Sequence, residues 1–160
     1  MRGIFLIAIM LITGFLFGSE CPMHKEHQDA GMTARGNKAM GFDQTKTTHH
    51  FLLRDNGGII QVEANDPKDL ESRDAIRGHL SHIAVLFSKG DFEIPMFVHD
   101  RMPDGVPVMK ELKDEITYKY EDLENGGNVS LTSQNADAVE AIHEFLRFQI
   151  QDHKTGDPVK

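Results

Sequence analysis

The feature that most constrains the fold is an internal repetition in which strand, Gly-Gly turn, strand and helix occur twice in the same order. Gly57-Gly58 matches Gly126-Gly127, and AIRGHLSHIAVLF can be laid on AIHEFLRFQIQDH with Ala75 over Ala141, Ile76 over Ile142 and Leu80 over Leu146. Each copy begins with a hairpin. In the first, TTHHFLL is a β-prone run, DNGG is strong turn chemistry, and IIQVEA alternates Ile60, Val62 and Ala64 against Gln61 and Glu63. In the second, ITYKYE alternates Ile116, Tyr118 and Tyr120 against Thr117, Lys119 and Glu121, and NVSLTS places Val129 and Leu131 on one face across an ENGGN turn.

A helix closes each copy. In the first, Asp66 is the expected N-cap, Pro67 suits the first helical position and Gly90 reads as a left-handed stop. Ile76, Leu80, Ile83 and Phe87 then make one apolar stripe. In the second, Asn135 caps a helix whose inward stripe is Val139, Ile142, Leu146 and Ile150, widened by Phe145 and Phe148. A lone hairpin is marginal and each stripe needs covering, so the fold class expected is α+β: a duplicated ββα-ββα unit with a four-stranded antiparallel sheet and two helices on one face. The units span 45–90 and 115–157. Pro95, Pro103 and Pro107 make 91–114 a connector in which only a short helix, Val108 to Asp114, is expected.

The residues before this domain read differently. Arg2 is followed by an apolar run from Ile4 to Phe17, too short for the ~20 residues of a bilayer span, and by small residues at Gly18 and Ser19. This predicts a signal peptide over 1–18, an exported chain in the periplasm or secreted, and no transmembrane segment in the mature form. Glu20 stands where a lipoprotein signal wants a small residue, so anchoring at Cys21 is not expected. Residues 19–44, rich in Gly, Met, His and polar side chains without periodicity, read as a flexible arm. Removing 1–18 removes only Arg2 from the charged residues, leaving 16 basic against 25 acidic, a balance that repels phosphate backbones and excludes nucleic acid as a partner. The single cysteine cannot form an internal disulfide and is left as an intermolecular partner, a thiol or a metal ligand.

Two groups of residues carry candidate chemistry. Cys21, Met23, His24 and His27 bring a thiolate, a thioether and two imidazoles together on a polar segment, a soft and mixed donor set of the kind Cu(I) or Zn(II) prefers, and Met32 and Met40 extend it. The second group is His49 and His50 on the first strand with His79 and His82 on the first helix. Adjacent strand residues face opposite ways, so one of His49 and His50 can approach the helix, and three imidazoles plus water would make a metal centre with an open position beside Gly78. His99 precedes Asp100 in the connector, His143 is expected on a solvated helix face, and His153 near a helix end suits the dipole. No nucleophile elbow, phosphate loop, H-E-x-x-H or C-x-x-C is present.

The tetrapeptide Cys21-Pro22-Met23-His24 resembles the core of the heavy-metal-binding segments found on copper-efflux ATPases and related exporters, although Glu20 and Lys25 flank it here where those segments carry an aromatic residue and Pro. Over Met40 to Asp157, the runs MGFDQTKTTHHFLL, RDAIRGHLSHIAVLFSKGDFEIPMFVHD and AIHEFLRFQIQDHKTGD resemble a family of short exported bacterial proteins, some of them labelled aspartate carbamoyltransferase. That transferase holds carbamoyl phosphate on a Ser-Thr-Arg-Thr loop, which no stretch here matches. The reading that results is an exported, non-catalytic metal-handling protein, with copper or another soft transition metal as the expected ion and a metal ion and an envelope metal-transport protein as partners. The alternatives are a metal-free α+β module that binds a small ligand or a protein, and an enzyme built on a histidine-bound metal.

Overall fold

The structure, a computed structural model, describes residues 22–160, with side chains from residue 31 onward. The segment expected to be a signal peptide and Cys21 lie outside the described residues, as do the side chains of Met23, His24 and His27. Helix α1 (Pro22–Met40) is followed by a 3-10 turn (Gln44–Lys46), strands β1 (Thr47–Arg54) and β2 (Gly57–Ala64), and helix α2 (Leu70–Ser88). Two short helices, α3 (Glu93–His99) and α4 (Val106–Glu111), lead to a second 3-10 turn (Lys113–Glu115), β3 (Ile116–Leu123), β4 (Gly126–Ser133) and α5 (Ala136–His153). The fold is α+β, with a four-stranded antiparallel sheet in the order β1-β2-β4-β3 and the ββα unit duplicated. Among the described residues no helix is long and apolar enough to cross a membrane.

The two copies interlock. Helix α2 packs on β3 and β4, and α5 packs on β1 and β2, so each helix covers the hairpin of the other copy. Equivalent side chains close the turns: Arg77 of α2 donates to Leu123 O at 2.6 Å and Gly126 O at 3.1 Å. From α5, the His143 Nε2–H donates to Arg54 O at 2.9 Å and Gly57 O at 3.0 Å. His143 is therefore a hairpin staple rather than the solvated residue its polar neighbours suggest. The core between sheet and helices holds Phe87, Phe92, Phe145, Ile76, Leu80, Ile142 and Leu146 at 2 % exposure or less. Each such side chain contributes about 1.5–3 kcal/mol by leaving water.

Three boundaries differ from the sequence reading. The first helix is capped by Asp69, whose carboxylate accepts from Ser72 N at 3.0 Å, and not by Asp66. Asp66 instead holds a turn, accepting from Lys68 N and Asp69 N, so Pro67 lies before the helix. The connector carries two helices where one was expected: Pro95 sits in the first turn of α3, where a missing N–H leaves nothing unpaired, and α4 starts at Val106 rather than Val108. The segment expected to lack regular structure is helical from Pro22 to Met40. It has no apolar stripe, but its Ala, Met, Lys, Glu and Arg residues are good helix formers, and Arg35 Nε anchors it by donating to Val98 O at 2.9 Å on α3.

Candidate functional site

Strand β1 decides which of its adjacent histidines turns inward. His49 pairs with Val62 and shares the helix-covered face with buried Phe51, whereas His50 faces the other way. On that side the His50 Nδ1–H donates to Asp157 Oδ1 at 2.8 Å, and Phe51 N donates to Asp157 Oδ2 at 2.9 Å. The C-terminal segment thereby satisfies part of the open edge of β1. His50 is thus a latch for the chain end and does not reach the helix. On α2 the two histidines also part. The apolar stripe centres on Ile76, Leu80, Ile83 and Phe87. His79 flanks it, and His82, a further three residues on, is turned about 60° farther away and is exposed. Of the group His49, His50, His79 and His82, only His49 and His79 are brought together.

The place of the missing two is taken by histidines from elsewhere. His153, in the last turn of α5, stacks on His49 with ring centroids 5.4 Å apart and 9° between planes. It also lies 5.5 Å from the Phe51 ring, and His99 of α3 meets it edge-on at 5.1 Å. The helix-dipole role expected of His153 is corrected by this burial: the ring faces inward and is held uncharged. His99 does not pair with its neighbour Asp100. Its Nδ1 shares a 2.5 Å hydrogen bond with Asp152 and its Nε2 a 2.9 Å bond with Gln149, so both ring nitrogens are engaged and His99 serves as a fixed wall.

His49, His79, His99 and His153 all border one cavity of about 60 Å³, together with Met40 from the end of α1 and the apolar core. Low local polarity sets the charge of three of the rings. Burial lowers His49 from 6.5 to about 4, with the nearby His50 adding to the effect. Burial lowers His79 to about 4, helped by His49 and His82, and lowers His153 to about 3, helped by His49 and His99. At neutral pH all three are uncharged, which is the ligating form of imidazole. His49 Nε2 is shut off from solvent and has no hydrogen-bond partner; among the described residues the one other such side-chain atom is the Tyr118 hydroxyl.

The duplication supplies an internal comparison. Strand register puts Tyr118 at the place of His49, and counting from the helix caps Asp69 and Asn135 puts Phe145 at the place of His79 and Phe87 at the place of His153. These three rings form an ordinary aromatic cluster, Phe87 lying 6.0 Å from both Tyr118 and Phe145. The fold itself therefore accepts phenyl and phenol rings at the three equivalent positions, and imidazole is not required to build it. The same comparison gives a stability test. The buried Tyr118 hydroxyl lacks a partner, so Tyr118→Phe removes an unmet hydrogen bond and is expected to leave stability unchanged or raise it by about 1 kcal/mol in urea unfolding.

Among the described residues no group of three His, Cys, Asp or Glu side chains is already gathered as a metal site. That geometry leaves out thioethers. Met40 borders the inner cavity, and Met32 borders a second, open recess of about 320 Å³ whose wall also includes His49 and His153. Of the two histidines that the sequence grouping missed, His153 had a trace: laying the two helices on each other sets it over the inward Phe87, and it continues the stripe three residues beyond Ile150. Fold and site together define a duplicated α+β domain with an imidazole-walled apolar cavity at one of its two equivalent positions. Comparison with protein-family models, curated protein sequences and solved structures gives no match.

Proposed function

We propose that the chain is an exported, non-catalytic metal-handling protein in which His49, His79 and His153 provide an internal ion site. The soft donors Cys21, Met23, His24 and His27 capture the ion ahead of the domain, and an envelope metal-transport protein is the exchange partner. The observation that carries this reading is the replacement of the aromatic rings Tyr118, Phe145 and Phe87 by three uncharged imidazoles at the positions equivalent to them through the duplication, around a cavity where His49 Nε2 has no partner. A buried, unpaired ring nitrogen costs about 1–3 kcal/mol, and a bound ion offsets that cost.

At the inner cavity, size separates an ion site from an organic-ligand site. Sites for organic ligands occupy about 300–1,000 Å³, whereas the cavity of about 60 Å³ suits an ion with a water or two. A carbamoyl phosphate site needs cationic side chains, and the cavity has neither Lys nor Arg on its wall. Since the unloaded rings are not gathered about one point, binding includes their rotation toward the ion.

The test exchanges the three histidines for phenylalanine, the residue found at two of the three equivalent positions. His49→Phe, His79→Phe and His153→Phe together should leave a folded chain, as judged by circular dichroism at pH 7, and remove one equivalent of ion from titrations with Cu(I) and Zn(II). Unchanged stoichiometry and affinity in the triple variant, or a parent chain that takes up neither ion, would sink the proposal.

A further inference from the structure

Resting on the metal-handling reading, we infer that the cavity is built for a soft monovalent ion of the Cu(I) class, and that Met32 and Met40 of α1 supply the thioether donors on either side of the His49–His153 pair. The open recess combines Met32 with His49 and His153. The inner cavity combines Met40 with the same two imidazoles and His79. Along a helix, eight residues rise about 12 Å, so one ion cannot take both sulfurs at once. The two methionines instead mark successive stations that share two imidazoles: an entry set facing solvent and a resting set within the core. Helix α1 thus links the N-terminal donors to the inner cavity in one continuous element.

Charge selects the ion. Neither the recess nor the cavity has an acidic side chain on its wall. The cost of moving an ion out of water grows with the square of its charge, so a divalent ion held by neutral donors alone faces roughly four times the penalty of a monovalent one. Thioether sulfur adds to the preference, because it is a soft donor that selects Cu(I) over harder ions. Structural Zn(II) sites mostly carry thiolates that offset the second charge, and the walls offer none.

The experiment silences the N-terminal donors with Cys21→Ser, Met23→Leu, His24→Ala and His27→Ala in the full chain, then titrates Ag(I), a redox-inert stand-in for Cu(I), and separately Zn(II). Ag(I) should bind with one equivalent and perturb the Met40 ε-methyl signal, and Zn(II) should bind at least about tenfold more weakly. Met40→Leu, close in volume, should weaken Ag(I) by about tenfold, the scale of losing one partner of a metal centre, and leave Zn(II) unchanged. Met32→Leu should slow uptake while changing the final affinity less. Zn(II) binding as tight as Ag(I), with both leucine variants indifferent, overturns the thioether assignment and leaves the metal-handling reading standing. Failure of both ions to bind while the silenced chain is folded overturns the two together.

Discussion

Bringing the metal-free chain from pH 7 to pH 5 is expected to remove about 3 kcal/mol of stability, a loss that begins well above the range in which carboxylates protonate. The cause is the group of rings at the cavity. Unfolded, His49, His79 and His153 take up protons near 6.5; folded, burial lowers them to about 4, about 4 and about 3. The folded state therefore binds fewer protons throughout this window. The stabilisation is fully present above the unfolded value and is lost as pH falls toward the folded values. Each ring contributes about 1.4 kcal/mol per pH unit, so three rings over 1.5 units give about 6 kcal/mol, and halving this for residual solvent contact leaves about 3 kcal/mol. Against a domain stability of about 5–15 kcal/mol that is a large fraction. Urea midpoints measured from pH 7 to 5 should fall steeply for the parent chain, and the triple His-to-Phe variant should flatten the profile. A parent profile flat above pH 5 would mean that the rings are solvated. Asp157 and Asp69, whose carboxyls are held below their ordinary 3.8, act only at still lower pH.

Gly57→Ala and Gly126→Ala are each expected to destabilise the domain by about 3–5 kcal/mol, because both glycines stand where the central strands β2 and β4 meet. A Cβ at Gly57 would lie 2.0 Å from Leu131 O, and one at Gly126 would lie 2.0 Å from Val62 O. In both cases the obstacle is backbone, which cannot move aside without parting the strands. Gly57 carries a second restriction, a φ of 138° that L-residues rarely adopt. Gly78 provides the control: it is exposed on α2 with no atom within 4 Å of an added Cβ, so Gly78→Ala should stabilise by about 0.5–1 kcal/mol through helix propensity. Equal effects of the three substitutions in urea unfolding would refute this account of the sheet centre.

Both expectations show where local pattern ends and packing takes over. The Gly-Gly pairs are visible as turn signals, yet what makes Gly57 and Gly126 irreplaceable is the carbonyl of a strand from the other copy. His143 shows the same divide: beside Glu140, Glu144 and Arg147 it reads as solvated, and only the crossing of α5 over the first hairpin gives its Nε2 the carbonyls of Arg54 and Gly57. The pairing of His99 with Asp152 rather than Asp100 likewise joins elements far apart in the chain.

The amino-acid order alone determined the duplicated ββα plan, the antiparallel hairpins and the inward stripes of both long helices, apart from Val139, which is only partly buried while Ala138 enters the core, because turn chemistry and the periods of strand and helix are local properties. It also limited the inward choice on β1 to one of His49 and His50. What only the tertiary structure decided was which imidazoles meet: His50 and His82 turn away, while His153 arrives from the last turn of α5 and Met32 and Met40 arrive from α1. Spacing fixes the face on which a side chain stands, but the neighbour across that face is set by how helices of one copy cross the hairpin of the other.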